Sequence, residues 1–297
     1  MAGSSSPSDA GDFPSRAERR TSRLPAWSWE HYGWLLFALP LLLIISGLAL
    51  LRVGEPIHRA APEARLVRQP PPAPAFPAST FAADLPPGGQ IPATGTGRFS
   101  VLPGTSALVG HGRPMRYTVE VEDGVQLPEG DDTFAAAVQD TLSDPRSWTN
   151  PAAATRRGPV AMQRIDRGRP DFRVTLVSQE TARKACGFQS GLPFDTSCEV
   201  GDRQLINAAR WVRGAVTFEG DIGTYRHYVI NHEVGHALGL KHVACPAPGA
   251  LAPTMMQQTF STSNDVLHDL NEQDSQGSQI PRDGVTCKPS AWPFPTG

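Results

Sequence analysis

The sequence predicts an α+β fold for the part of the chain that follows residue 94. Three observations support this prediction. Residues 115–122 alternate polar and apolar side chains with a period of two, which is typical of a half-buried strand. Phe134, Val138 and Leu142 recur at helical spacing. Residues 228–240 are apolar enough for a buried helix, and they follow further strand-like segments. This order indicates a twisted sheet that supports the second helix.

The other elements can be placed from local patterns and turn residues. Asp131 or Asp132 is expected to cap the first helix, and Asp144-Pro145 ends it. We also predict strands at 98–102, 162–166, 171–178 and 205–211, with a turn at 167–170 between the second and third of these, and a short helix from Ser263 or Asn264 to Leu270. The apolar segment 292–295 is expected to pack on the last part of the domain.

The first part of the chain has a different composition. Residues 1–33 are rich in Ser, Pro and charged side chains without an apolar period, which predicts a disordered tail. Residues 52–94 are rich in proline, which favours extended polyproline segments and predicts a linker. The predicted folded domain is therefore 95–297.

A membrane anchor is predicted between the tail and the linker. Residues 34–51 read WLLFALPLLLIISGLALL, an uncharged run of eighteen residues. This length is sufficient to cross a hydrocarbon core when Trp27, Trp29 and Tyr32 lie at the interface. A cleaved signal peptide, with a cleavage site near Gly47-Leu48-Ala49, is the alternative. We expect an uncleaved signal anchor, because a long segment precedes the apolar run.

The cysteines indicate on which side of the membrane the domain lies. All four follow the predicted span, and none forms a C-x-x-C pair. An even number after a membrane anchor favours two disulfides in an oxidising compartment. Of the three possible pairings we favour Cys186–Cys198, which closes a short loop, and Cys245–Cys287, which ties the segment after His242 to the tail. Buried free thiols are the alternative. The domain is thus expected to be extracytoplasmic and residues 1–33 cytoplasmic.

One motif, HEVGHALGLKH at residues 232–242, carries the predicted chemistry. His232 and His236 are four residues apart, so their rings leave the same face of a helix about one turn apart and can reach one metal ion. Gly239 can adopt the left-handed conformation that ends a helix, which lets the chain turn back and bring His242 to the same ion. Three histidine ligands with a vacant fourth position are typical of a catalytic zinc site, and the predicted cofactor is Zn²⁺.

Glu233 lies next to the first of these ligands. Its side chain can reach a water bound at the vacant position, where a carboxylate serves as general base and then as proton shuttle. We therefore predict Glu233 as the catalytic residue and His232, His236 and His242 as the metal ligands.

These residues resemble the signature of the metzincin zinc peptidases, HExxHxxGxxH followed by a methionine turn. The segment APTMMQQT at residues 252–259 matches the second part, with Met255 as the expected turn methionine and Met256 as the alternative. The run from Arg98 to Trp292 resembles an uncharacterised family of envelope-associated metzincin-like domains of high-GC bacteria. The resemblance implies a metzincin-like fold, in which the sheet and the active-site helix end near His242 and a smaller C-terminal subdomain follows.

The net charge of the chain limits the classes of partner that it can bind. A net charge of −2 gives no field for binding nucleic acid, so we expect no nucleic-acid partner. The sequence predicts a membrane-anchored, extracytoplasmic, zinc-dependent endopeptidase that acts as a monomer on a protein or peptide substrate. Two other hypotheses stay open: an inactive zinc-stabilised binding module at the cell surface, and a hydrolase of peptidoglycan peptides.

Overall fold

A computed structural model describes residues 82–153, 155–187, 194–271 and 280–296, together with Pro40 and Leu43. Within these residues no helix has the length and apolar character needed to cross a membrane. The predicted tail, residues 52–81 of the predicted linker and the predicted span at 34–51 lie outside the described residues, apart from Pro40 and Leu43.

Seven strands form one twisted mixed sheet in the order β2-β4-β3-β5-β7-β6, and β1 pairs with β3 beside β4. The strands are β1 (Phe99–Val101), β2 (Val109–Gly110), β3 (Arg113–Glu122), β4 (Val160–Arg164), β5 (Phe172–Val177), β6 (Cys198–Val200) and β7 (Arg203–Asn207). β3, β4, β5 and β7 run parallel, and β1, β2 and β6 run antiparallel to their partners.

Five α-helices of the described part of the chain accompany the sheet. They are α1 (Asp131–Ser143), α2 (Gln179–Ala182, continued by a π-helical turn at Arg183–Gly187), α3 (Ala208–Arg213), α4 (Ile222–Ala237) and α5 (Asn264–Asn271), with a 3₁₀ turn at Val216–Phe218. α4 packs against β5, β6 and β7, and α1 packs against α4, β3 and β4. The structure is a mixed α and β fold, compatible with the predicted α+β class.

The turn at 167–170 does not reverse the chain as a hairpin turn would. β4 and β5 are both parallel to β3 and lie on its opposite sides, with β4 along its first half and β5 along its second half. Backbone hydrogen bonds from Ile165 N to Tyr117 O and from Asp171 N to Arg116 O hold the crossing. The chain therefore continues in one direction and passes from one side of β3 to the other.

From Tyr117 to Glu122, β3 is buried on both faces, although its alternating pattern predicts a half-buried strand. The polar side chains of its second half have partners inside the protein. Glu120 forms ion pairs with Arg173 and Arg203, and the carboxylate of Glu122 accepts hydrogen bonds from Ser178 N and Thr181 Oγ1. Burial of a carboxylate is tolerated when it is paired or hydrogen-bonded, so the pattern alone could not reveal that both faces are covered.

Two local predictions are wrong. The segment 205–211 is not a single strand: β7 ends at Asn207, whose side-chain oxygen accepts a hydrogen bond from Ala209 N and caps α3. Neither Asp131 nor Asp132 caps α1, because Gly130 occupies the N-cap position. Both aspartates lie in the first turn, where negative charge is favoured by the helix dipole.

The described residues form two main hydrophobic cores of different size and a third, small cluster of Val177, Ala182 and Leu205. The larger core lies between the sheet, α1 and α4. The smaller core consists mainly of residues after His242, including Met256, Phe260 and Leu267, and the Cys245–Cys287 disulfide closes it. Residues after the metal motif therefore form a compact part with its own interior.

The C-terminal segment 292–295 does not pack on the smaller core, in contrast to the prediction. Trp292 and Phe294 pack against the larger core. The Trp292 ring lies 4.7 Å from the His227 ring, and the guanidinium of Arg146 lies 4.0 Å above it. The face of the Trp292 indole attracts the Arg146 guanidinium, and this contact helps to hold the C-terminal segment against the larger core.

The last part of the predicted linker is attached to the domain. The buried guanidinium of Arg210 donates hydrogen bonds to the carbonyl oxygens of Ala83, Asp84 and Asp195. Ala83 is fully buried in the smaller core. The contacts of the folded part thus begin before Gly95.

A candidate metal centre in a polar cleft

Helix α4 places two of the predicted ligands. Its first turn is capped by Asp221, whose carboxylate accepts a hydrogen bond from Thr224 N. Apolar residues such as Val229, Ile230 and Val234 bury the helix in the larger core. His232 and His236 leave one face of the helix, and their ring centroids are 4.9 Å apart.

The end of α4 brings the third predicted ligand, His242, to the other two. Gly239 has a φ of 85°, as expected from the sequence. Leu240 N donates to Gly235 O and Gly239 N donates to His236 O. This pair of hydrogen bonds is the Schellman arrangement that ends a helix with a left-handed glycine. The chain then turns back, so that the His242 ring lies 4.8 Å from His236 and 5.2 Å from His232.

The three rings converge on one point. One nitrogen from each of His232, His236 and His242 lies within 4.8 Å of the others, and Nε2 of His236 is 3.1 Å from Nε2 of His242. Side-chain nitrogens at these separations can be ligands of one ion. The three histidines could therefore hold a metal.

Backbone carbonyls fix the orientation of two rings. His232 Nδ1 is 2.8 Å from Thr254 O, and His236 Nδ1 is 3.1 Å from Leu240 O. Because a carbonyl oxygen can only accept, each Nδ1 carries the proton. Nε2 of each neutral ring then has its lone pair free, which is the form that binds a metal.

Burial keeps the three imidazoles neutral. It lowers the pKa of His232 well below its usual value, and the neighbouring His236 and His242 lower it further. Burial also lowers the pKa of His236, and it lowers the pKa of His242 to about 3. A metal ion would therefore not have to displace protons from these rings near neutral pH.

Glu233 lies in the same cleft as the three rings. Its side chain is buried, and Oε2 has no hydrogen-bond partner among the described residues. Burial raises the pKa of Glu233 well above its usual value, and the negative charge of Glu199 adds to the effect. A carboxyl group with a raised pKa can both accept and donate a proton near neutral pH.

The two candidate turn methionines lie in different cores. Met255 belongs to the larger core and packs under α4 at Gly235, where a Cβ would collide with Met255 Sδ and lie 3.0 Å from Trp148. Met256 belongs to the smaller core. Met255 is therefore the methionine whose side chain packs against Gly235, between His232 and His236.

Tyr228 connects α4 to the segment that contains these methionines. Its hydroxyl donates to Met256 O at 2.8 Å and accepts from Gln258 N at 2.8 Å. The same segment contains Thr254, whose carbonyl oxygen accepts a hydrogen bond from His232 Nδ1. The position of this segment therefore fixes the orientation of the His232 ring.

The cleft has a volume of about 300 Å³. Besides the histidines and Glu233, its walls include Glu199, Gln257, Thr259 and Phe260. The Cys186–Cys198 disulfide also lines the cleft, next to Glu199 on the edge strand β6. Both disulfides are the pairs that the sequence favours.

Sequence reasoning did not identify Tyr228, Glu199 or Gln257 as part of the site. Tyr228 lies one turn before His232 on the same helix, which is a signal that the helical period could have given. Glu199 and Gln257 come from separate segments, and no local pattern places them in the cleft. All four polar residues that the motif predicts for the site line the cleft.

Among the described histidines outside the motif, His227 and His268 have partners elsewhere in the fold and are not part of the cluster. His227 Nδ1 is 2.8 Å from Thr141 Oγ1, and its ring packs on Trp292. His268 Nδ1 is 2.7 Å from Ile280 O in the part that follows the motif.

Comparisons with known proteins give a family without an assigned activity. A search of curated proteins and a search of solved structures found no match to the chain. A family model covers residues 85–295, which include every described strand and helix from β1 to α5. The chain belongs to the family described as "Protein of unknown function (DUF3152)".

Proposed function

We propose that this chain is a zinc-dependent endopeptidase of the metzincin type. The observation that carries the proposal is the convergence of His232, His236 and His242 beside the buried carboxyl of Glu233 in one cleft. A purely structural metal site is usually closed by four protein ligands. Here the group of potential ligands contains three side chains and opens into a cleft.

The donor set fits zinc. Two nitrogens that each lie about 2.0–2.1 Å from one zinc ion are roughly 3.4 Å apart in a tetrahedral site. The Nε2 atoms of His236 and His242 are 3.1 Å apart, close to this separation. A zinc ion bound there would supply a Lewis acid that polarises a substrate carbonyl and lowers the pKa of a water molecule.

Glu233 would move the protons of the reaction. It would accept a proton from the attacking water and deliver it to the amine that leaves. Burial strengthens this role, because it raises the pKa of Glu233 towards the range in which both steps are possible. Oε2 is buried and has no hydrogen-bond partner among the described residues, so its capacity for the hydrogen bond that such a transfer requires is unused.

The proposed location is the cell envelope. The two disulfides indicate an extracytoplasmic domain. The uncharged run at 34–51 would anchor the chain in the membrane as a single-pass protein, with the domain outside.

The proposal is tested by a cleavage screen with the purified full-length chain. Peptide libraries and unfolded proteins are incubated with the wild type and with Glu233→Gln, and the products are identified by mass spectrometry. We expect cleavage that a chelator abolishes and zinc restores. Glu233→Gln should lower the rate by a factor of about 10³ or more, because the proton carrier is lost.

Zinc content separates loss of chemistry from loss of the site. Glu233→Gln removes no ligand, so it should bind zinc as the wild type does. A wild type that binds zinc but cleaves no peptide would contradict the peptidase proposal. Equal cleavage by wild type and Glu233→Gln would contradict the role of Glu233.

A further inference from the structure

A second carboxylate faces the candidate metal centre. Glu199 lies on the edge strand β6 and forms part of the same cleft wall as Cys198. Its negative charge acts on both Glu233 and His236 across the cleft. The neighbouring Cys186–Cys198 disulfide ties β6 to the π-helical turn after α2. Glu199 is thus held at the opening of the proposed site.

Glu199 differs from the acidic side chains around it by having no cationic partner. Among the described residues, Glu120 pairs with Arg173 and Arg203, Asp195 pairs with Arg183, and Glu180 pairs with Lys184. Glu199 accepts only a long hydrogen bond of 3.4 Å from the neutral amide of Gln204. No Lys or Arg is among the described residues that line the cleft.

An unpaired carboxylate in a polar cleft attracts a positively charged ligand. Glu199 is exposed, so water and salt screen this attraction and keep it modest. The positive charge of Lys241, which acts on His236 and His242, opposes it. A negatively charged substrate group at the same place would be repelled by Glu199 and, in its ionised form, by Glu233.

We propose that Glu199 makes this cleft selective for a cationic substrate group, a guanidinium or ammonium of a peptide, next to the bond that is cleaved. This inference rests on the proposed peptidase function and names its substrate class. The cation can come from an Arg or Lys side chain or from a free peptide amino terminus. The experiment therefore includes both sources.

Binding is measured without cleavage in the full-length, zinc-loaded Glu233→Gln protein. The probes are fluorescent alanine-rich peptides that differ at one position, which is Arg, Lys, norleucine or Glu, each with a free or an acetylated amino terminus. Fluorescence anisotropy gives the dissociation constants. The same measurements are made after adding Glu199→Gln, Glu199→Lys or Asp132→Asn. Asp132 is an exposed residue of α1 outside the cleft lining, so its variant controls for the loss of one negative charge.

We expect a cationic peptide to bind about three- to fivefold more tightly than its norleucine counterpart, which corresponds to one solvent-exposed ion pair. The preference should decrease at high salt. Glu199→Gln should reduce it to less than about twofold, Glu199→Lys should reverse it towards the Glu peptide, and Asp132→Asn should leave it unchanged. A preference that depends on acetylation alone identifies the amino terminus as the source.

Two outcomes would overturn the inference: no binding of any peptide, or a charge preference that Glu199→Gln does not change. The result is independent of turnover. A wild type that cleaves peptides without regard to charge would refute the role of Glu199 and leave the peptidase proposal intact. Charge-selective binding without cleavage by the wild type would refute the peptidase proposal and leave the charge selectivity of Glu199 intact.

Discussion

At the residue scale, the hydrogen bonds of the histidines explain how a short motif becomes a metal centre. Carbonyl oxygens of Thr254 and Leu240 accept from Nδ1 of His232 and His236 and so direct both Nε2 atoms into the cleft. Such partners orient metal ligands and raise their basicity. Because both are backbone atoms, they depend on the path of the chain and not on a side chain that a motif could display.

Gly235 gives the first prediction at this scale. Gly235→Ala should destabilise the protein by roughly 1–3 kcal/mol, because a Cβ would collide with Met255 Sδ and press on Trp148. This is opposite to the intrinsic preference of a helix for Ala, which is about 1 kcal/mol. The free energy of unfolding in urea measures the effect.

Gly223→Ala is the matched control on the same helix. Its Cβ would meet only Asp221 Oδ1 at 3.5 Å, an ordinary contact. This variant should be neutral or up to about 1 kcal/mol more stable. Equal effects of the two substitutions would show that Met255 does not pack closely under α4.

His227 gives a prediction about pH. Burial lowers its pKa from the usual 6.5, and the charge of Arg146 contributes. Below about pH 6.5 the unfolded chain therefore binds more protons than the folded chain at this position, so stability is lost as the pH falls. His227→Gln should make the free energy of unfolding less dependent on pH between about pH 5 and 7.

Urea unfolding of the wild type and His227→Gln across this pH range tests the expectation. The three histidines of the cleft are the same in both proteins, so their contribution is common to the two curves. Parallel curves would show that His227 does not contribute.

At the element scale, the structure shows why the motif could be placed on α4 while its surroundings could not. The spacing of His232 and His236 and the glycine that ends the helix follow from the helical period and from the left-handed preference of glycine. Glu199 is positioned by the pairing of β6 with β7, and Gln257 by the segment after Met256. The contacts of β6 and of the methionine segment with α4 join segments that are distant in sequence, and no periodicity encodes them.

The connection between α4 and the methionine segment gives a prediction at this scale. Tyr228→Phe removes the hydroxyl that accepts from Gln258 N and donates to Met256 O. Among the described residues, these two buried backbone groups then keep only their hydrogen bond to each other. The expected cost is roughly 1–3 kcal/mol, together with weaker zinc binding, because Thr254 O in the same segment orients His232.

Tyr225→Phe is the control for this variant. Tyr225 is also fully buried on α4, but its hydroxyl makes a single longer hydrogen bond of 3.2 Å to Thr259 Oγ1. The Tyr225→Phe variant should lose less stability than Tyr228→Phe and should bind zinc with the affinity of the wild type. Calorimetric zinc titration and urea unfolding compare the two variants, and an equal loss in both would contradict the role of Tyr228.

At the scale of the whole molecule, the two disulfides close loops of different length. Cys186 and Cys198 are 12 residues apart, and Cys245 and Cys287 are 42 residues apart. Closure of the longer loop restricts the unfolded chain more strongly, by about 4 kcal/mol against about 3 kcal/mol for the shorter one in the chain-entropy account.

Replacing each pair by serine should therefore destabilise the protein by these amounts, in this order. The Cys186–Cys198 pair should in addition affect peptide binding, since it lies in the cleft wall. Urea unfolding of the two double variants measures the order, and a smaller cost for the longer loop would contradict the loop-closure argument.

The predicted fold class agrees with the structure at this scale, and the sheet topology was not foreseen. Periodicity located β3, α1 and α4, since each has a clear apolar face or spacing. It could not show that β4 and β5 lie on opposite sides of β3, because strand pairing is a long-range property. It also missed the attachment of Ala83 and Asp84 to Arg210, since a proline-rich composition favours an extended chain and does not report contacts.

The central claim is that His232, His236 and His242 bind one metal ion. The most direct test is the metal content of the purified full-length chain, prepared without chelators and measured by inductively coupled plasma mass spectrometry, beside His236→Ala. We expect about one zinc per wild-type chain and a loss of zinc in the variant. A wild type that contains no metal and takes up no added zinc would contradict it.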